Sequence, residues 1–507
     1  MLAPRALADM TDDSEPTDDD TISGLSRSDP LAAVSPLDGR YASRTAPLSP
    51  YASEAALMRA RTRVEVEYLI ALADLDATPI GLDEAARESL REIYDAFSAE
   101  DARLIKALEV EGTEGYAATN HDVKAVEYFL RVRIDGLAES GSGDDDATAS
   151  AGPPIGDAEA LYPWIHFGLT SEDVNNLAHR LLLASAVTEV VVPAIREVRD
   201  ALAELARDHR DASMLARTHG QPATPTTFGK EMAVYAARLG RALGRVVVAN
   251  GDLSGKLAGA SGTYAAHAAA YPEVDWQAFA ESFVRDLGLE HTPLATQVNP
   301  CDDLAALFDA LRGVNNVLLD LDLDAWLYVS DRYLGQRTVE GETGSSTMPH
   351  KVNPIDFENS EGNLSKANAD LTFLADYVTG SRLQRDLSDS TVKRNVGAAL
   401  AHCLIGYSKA GDGLSKVVPN EAVMREELDA TPEVIGEAVQ TILRREGDTD
   451  AYERVKELTR GRSVTLDDFR ELFDDLDVDD DVREELKALT PAGYTGVAGD
   501  LVDEIDE

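Results

Sequence analysis

The chain has 507 residues, 44% of them hydrophobic, enough apolar side chain for a large core but too much length for one compact unit. Aspartate and glutamate number 92 against 47 lysines and arginines, a net charge of −45. That balance excludes nucleic acid and anionic lipid as partners unless a local basic cluster intervenes. The acids are scattered along the whole chain, so they read as a solvated surface suited to concentrated salt, where counter-ions screen self-repulsion, rather than as a patch for a basic partner.

In chain order, residues 1–30 are polar and acidic and read as a disordered extension with no apolar signal segment. Apolar residues at three- and four-residue spacing predict helices over 53–76 and 121–134. Residues 138–160, small, acidic and broken by Pro153 and Pro154, read as an insertion. From Ser171 to about Arg210 the helical pattern is nearly unbroken, capped at Thr170 or Ser171 and kinked at Pro193. It would span about 60 Å. Further long patterns cover about 227–250, 302–334, 354–377 and 391–410; Pro354 suits a helix's first turn. The last block, from 414, holds shorter helices, with a turn at Gly461 and a cap near Thr465. Helices this long need neighbours alongside them, so the expected fold is all-α, a central bundle of long helices at 167–413 between an N-terminal helical unit at 31–166 and a C-terminal one at 414–507. No glycine-rich fingerprint joins a strand to a helix, which argues against a Rossmann or P-loop fold. Cys301 and Cys403 make no CxxC motif or disulfide framework, which points to a reducing cytoplasm, and no apolar run approaches a membrane span.

Five polar stretches interrupt this pattern. "TGSSTMPHKVNP" (343–354) puts Ser345 and Ser346 in a glycine-flanked loop, followed by His350, Lys351 and Asn353, donors suited to a carboxylate or phosphate. His219 stands in a Thr/Gln/Pro loop, "RTHGQPATP", between two helices. "TNHDVKAVE" and "FGLTSEDVNN" start helices, whose N-termini bind anions, although Asp122 and Ser171 would serve equally as simple caps. "SRLQRDLSDSTVKRN" (381–395) clusters Arg382, Arg385, Ser390, Thr391, Lys393 and Arg394, either around an anionic ligand or on a solvated helix face offset by Asp386 and Asp389.

Together with "AVSPLDGRY" (33–41) and "AAYPEVDW" (269–276), these stretches resemble the fumarase/aspartase superfamily, and within it the bacterial-type adenylosuccinate lyases, from about residue 32 onward. His350 carries the subgroup, since fumarases have Gly and argininosuccinate lyases Gln at that place. The resemblance implies β-elimination of fumarate from adenylosuccinate to give AMP, and from succinylaminoimidazole-carboxamide ribotide to give its amide, with no cofactor and no metal. It implies Ser345 as the base, His219 as the acid and Glu358 as the residue that orients the histidine. Lys351, Asn353, Ser346 and Gln297 fall to the succinyl end and other substrate contacts. Arg40, Tyr41, Arg385, Ser390, Thr391 and Arg394 fall to the nucleotide-phosphate end, and Asn120, His121, Asp122, Thr170, Ser171 and Asn359 to the rest of the pocket. Cys301 stands where bacterial relatives tend to have histidine. A homotetramer with sites shared between subunits is also implied. Another lyase of the superfamily and a catalytically dead structural relative are the competing readings.

Overall fold

The computed structural model describes residues 29–139, 155–337, 348, 351–460 and 464–506. Most of the expected acidic extension lies outside these, but Asp29 already caps a 3-10 turn at Pro30–Ala32. Helix α1 is Glu54–Ala73, begun by Ser53, whose Oγ accepts from Ala56 N at 3.2 Å. Helix α2, Asp122–Glu139, runs past the expected start of the insertion. On its far side Ile155 and Leu161 are buried. Ile155 and Ala158, inside the expected bounds of 138–160, thus pack into the core; residues 140–154 lie outside the described ones.

The long pattern from 171 forms α3, Ser171–Ala186, a π turn at Val187–Val191, and α4, Val192–Asp208. Pro193 falls in the first turn of α4, where its missing N–H costs least, and the π turn absorbs the change of direction. After α4 the structure departs from the expected loop. Strands β1, Ser213–Thr218, and β2, Gln221–Thr227, pair antiparallel. Pro222, Pro225 and four threonines suit a two-stranded ribbon, whose outer edge needs no N–H from proline.

Four long helices then build the bundle: α5, Phe228–Gly251; α6, Asp302–Ser330; α7, Ile355–Val378; and α9, Val396–Lys416. Between α7 and α9 lies the short α8, Ser388–Lys393. The run expected at 391–410 is thus split at Arg394 and Asn395, where ψ rises to −18° and −2° and the helical repeat lapses. Along α6, Leu304, Leu307, Phe308, Leu311, Val314, Leu318 and Leu321 are buried at three- and four-residue spacing. Each contributes about 1.5–3 kcal/mol relative to exposure. Helix α6 packs on α7, and α7 on α9. Gly406 and Gly413 let α9 approach closely, since a Cβ at either would collide with Leu364 or Phe357 of α7. Helices α6 and α7 run antiparallel, with Asn315 bonded to Asn368 at one point and Trp326 to Glu358 further along.

One apolar cluster runs from Leu37 to Met424 and takes in Val502 and Ile505 as well, so the N-terminal region, the bundle and the chain's last turn share a core. The C-terminal helices hold a smaller core of their own, with Ile435, Val439, Leu443, Phe469, Phe473 and Leu486. Thr465 caps the helix Leu466–Asp474 as the sequence implies; Gly461 lies outside the described residues. Helix α9 carries on three residues past the boundary expected at 413. Among the described residues, no helix is long and apolar enough to cross a membrane.

Candidate active site

At the C-terminal end of α7, three separate segments close on a cavity of about 400 Å³. The turn before α2 supplies Asn120, His121 and Asp122; the first turns of α3 supply Ser171 and Asn175; the segment around α8 supplies Arg385, Ser390, Thr391 and Arg394. Asn120 takes a left-handed conformation, φ 47°, one that asparagine tolerates better than most residues, and so turns the chain into α2. Asp122 does cap its helix, accepting from Val123 N at 2.9 Å, but its other oxygen meets Arg61 Nη2 at 2.7 Å and Arg394 Nη2 at 3.4 Å. Burial works to raise its pKa, and Arg61 outweighs this and holds the carboxyl below its ordinary value. Thr170 donates its N–H to Asp173 at 2.9 Å, and the same buried carboxylate accepts from Lys256 Nζ at 2.8 Å, fixing the turn ahead of Ser171.

The basic cluster divides by side. Arg382 is exposed and paired with Asp386 at 3.2 Å, the solvated-face arrangement. Arg385 points inward, bonded at 3.4 Å each to Gln297, Ser390 and Glu172. Gln297 in turn donates to the Ala260 carbonyl at 3.0 Å, so it joins the cavity through Arg385. Lys393 is buried between Asp389, at 2.7 Å, and Glu172, at 3.3 Å. Ion pairs this buried cost desolvation, yet losing one partner costs more, so the triad pins α8 to the first turn of α3. Arg61, Glu172, Asn175, His179 and Lys393 all border the cavity, and none was assigned to the site from sequence. Four carry no local signal, because a charge or amide at helical spacing reads as a solvent face. Lys393 did stand in the basic run.

The remaining expected residues lie elsewhere. Helix α7, 24 residues or about 36 Å long, separates Arg385 from its own N-terminal end. At that end Glu358 accepts from Trp326 Nε1 at 3.3 Å, and Asn359 Oδ1 accepts from Tyr41 Oη at 3.5 Å and Asn363 Nδ2 at 2.8 Å. Exposed Arg40 lies 6.0 Å from the Tyr41 ring, while Lys351 and Asn353 lead into the helix. Lys351 is exposed, and its side chain has no ion pair among the described residues. Asp356 anchors the helix start, with Lys409 and Lys416 each at 2.7 Å. Ser345, Ser346 and His350 lie outside the described residues.

His219 occupies neither end's pocket. With Gly220 it forms the two-residue turn of the β1–β2 hairpin, φ 54° and 70°, between the paired Thr218 and Gln221. Both residues at positive φ define a type I′ turn, which matches the ribbon's twist and which histidine enters more readily than most residues. The ring is exposed and makes no hydrogen bond among the described residues. Two residues before that histidine, at the turn end of the hairpin, Arg217 pairs with Asp331, at 3.5 Å, and with Glu427. Within one chain Glu358 accepts from Trp326, and the His219 side chain at the turn is exposed.

A family described as "Lyase" matches residues 40–368, and one described as "Adenylosuccinate lyase C-terminal" matches residues 381–495. The adenylosuccinate lyase of Haemophilus influenzae is 44% identical over 477 residues, covering 94% of this chain and 99% of the relative. That of Escherichia coli is 44% identical over 478 residues, with the same coverage, and that of Dictyostelium discoideum 42% identical over 480 residues, covering 93% and 98%. Among solved structures, a fumarate lyase from Mesorhizobium sp. BNC1 superposes with a TM-score of 0.68 at 21% identity, covering 90% of this chain and 96% of that one. A 3-carboxy-cis,cis-muconate lactonizing enzyme from Pseudomonas putida gives 0.66 at 20% identity, covering 90% and 95%. At these identities the two structures speak for the fold alone.

Proposed function

The chain belongs to the adenylosuccinate lyase family, and from that premise we infer that it cleaves the C–N bond of adenylosuccinate, releasing fumarate and AMP. The same chemistry on succinylaminoimidazole-carboxamide ribotide gives the corresponding amide. The observation that carries the reading is the cavity where Asn120–His121–Asp122, Ser171 and Arg385–Arg394 converge, a set of cations and hydroxyls sized for a nucleotide.

In this reading Ser345, as the alkoxide, takes a proton from the succinyl carbon beside a carboxylate. The electron pair is held as an aci-carboxylate, and Lys351 and Asn353 offset its charge. The pair then returns to form the alkene as the C–N bond breaks, and His219 protonates the departing nitrogen. Glu358 orients His219 from a second copy of the chain. Three features support a homotetramer with shared sites: the exposed His219 tip, Lys351 with no ion pair among the described residues, and apolar side chains left uncovered on the long helices. Leu323, Trp326 and Leu327 on α6 are 52%, 46% and 52% exposed, and Phe373 on α7 is 52% exposed. We also read three domains, with boundaries near 166 and 413, a cytoplasmic setting, and a halophilic origin; the last rests on the net charge of −45.

The test is fumarate release from adenylosuccinate, followed by ultraviolet absorbance in molar salt. Turnover of adenylosuccinate but not of argininosuccinate supports the assignment. No fumarate from either ribotide refutes it.

A further inference from the structure

Three residues line one face of α3, each a turn deeper into the cavity: Ser171, Asn175 and His179. Asn175 is already engaged, its Oδ1 accepting from Arg61 Nε at 2.8 Å. His179 is not, and its ring makes no hydrogen bond among the described residues. It also marks a change of lining. Beyond it lies a second, smaller space that also borders His179, Lys393 and Arg394; Leu57, Leu182, Leu183 and Leu400 line it together with Tyr51 and Glu54. Ser171, Ser390, Thr391 and Arg385 border only the larger cavity, and leucines take a larger share of the wall beyond the imidazole.

The ring's chemistry is set by its neighbours. Burial, then the fields of Lys393, Arg61, Arg180 and Arg394, push its pKa down to about 3. Those cations are spoken for: Arg61 by Asp122, Arg180 by Asp303, Lys393 by Asp389 and Glu172, and Arg394 by Glu54 and Asp122. A neutral imidazole among them keeps one N–H to donate and adds no charge to a balanced network.

We propose that His179 is a direct contact to the nucleotide's phosphate, donating a single N–H to a phosphate oxygen at the floor of the cavity. The proposal rests on the nucleotide-cleaving reading and assigns the ring a discriminating role: it favours the phosphorylated ligand over the nucleoside. Hydrogen bonds to a charged acceptor are strong enough for a loss of about tenfold in affinity.

The probes are AMP and adenosine, bound to the full-length enzyme and measured by calorimetry, alongside KM for adenylosuccinate. His179→Ala should weaken AMP about tenfold and leave adenosine unchanged, with a matching rise in KM and little change in kcat. His179→Gln, which keeps a neutral N–H donor, should recover most of the loss. A fall shared equally by AMP and adenosine, or wild-type affinity for AMP in both variants, overturns the proposal. The wild-type arm keeps the two ideas apart: an enzyme that releases no fumarate sinks the functional reading, whereas turnover with unaltered AMP binding in the variants sinks only the role of His179.

Discussion

The two ends of α7 carry the expected site residues in opposite states. At its C-terminal end the cavity is finished within one chain: Arg385, Arg394 and Lys393 are each held by carboxylates from other segments, and Asp173 locks the turn ahead of Ser171. At its N-terminal end, among the described residues, Lys351 has no ion pair, the Glu358 carboxylate bonds to an indole alone, and the His219 ring has no hydrogen bond at an exposed hairpin turn. Groups that must grip a ligand are preorganised by internal ion pairs. Among the described residues the acid has no hydrogen-bond partner in its own chain and the residue that orients it has one, as expected if other copies complete this end.

The sharpest way to break this contrast is at the tip. His219→Asn keeps the left-handed turn, since asparagine accepts positive φ, but removes the acid; kcat for fumarate release should fall by about 10²–10⁴ with no change in unfolding temperature. A fall in stability would mean that the hairpin end is structurally committed after all. Next in size is Arg385→Ala at the finished end. It removes a charged donor and leaves buried Glu172 undercompensated, so KM should rise about tenfold to a hundredfold, with some loss of stability.

Two pH experiments separate the ends further. Asp322 on α6, one turn from Trp326, is buried with no hydrogen bond to either carboxyl oxygen among the described residues, and burial pushes its pKa up to about 8. Its folded form favours the proton, so this group's contribution to stability is greatest below pH 3.8 and is lost as pH rises toward 8. Asp322→Asn should raise the unfolding temperature at pH 8 and flatten its decline over that window; an unchanged slope would show the acid to be paired. The smallest effect belongs to His166, whose Nδ1 lies 2.5 Å from buried Glu65 in the turn leading to α3. Burial lowers its pKa, but Glu65 prevails and raises it above 6.5. The stabilisation is complete below pH 6.5 and lost as pH climbs through the raised value. Thermal melts of wild type and His166→Asn should converge at alkaline pH and differ by about 1 kcal/mol below it.

Much of this was legible in the residues. Periodicity and caps located the long helices, and the polar helix starts at 120–122 and 170–171 mark the cavity that the structure closes. The hairpin was not legible, because two prolines and a glycine around His219 read as loop unless the Thr218–Gln221 pairing is seen. Nor was the inward turn of Lys393: Arg382 and Lys393 have the same local chemistry, and only the approach of Glu172, 221 positions away, buries one and not the other. His179 was missed for the same reason, since its setting is made by cations from four distant or neighbouring turns.

The most direct test of the split site mixes two crippled variants. His219→Asn and the double variant Arg385→Ala/Arg394→Ala are refolded together and assayed for fumarate at low adenylosuccinate concentration. If the finished cavity of one chain is served by the histidine of another, the mixture contains some sites with both halves intact, and activity rises well above either parent. Mixed assemblies as inactive as the parents would contradict the account, placing both halves of the site on the same chain.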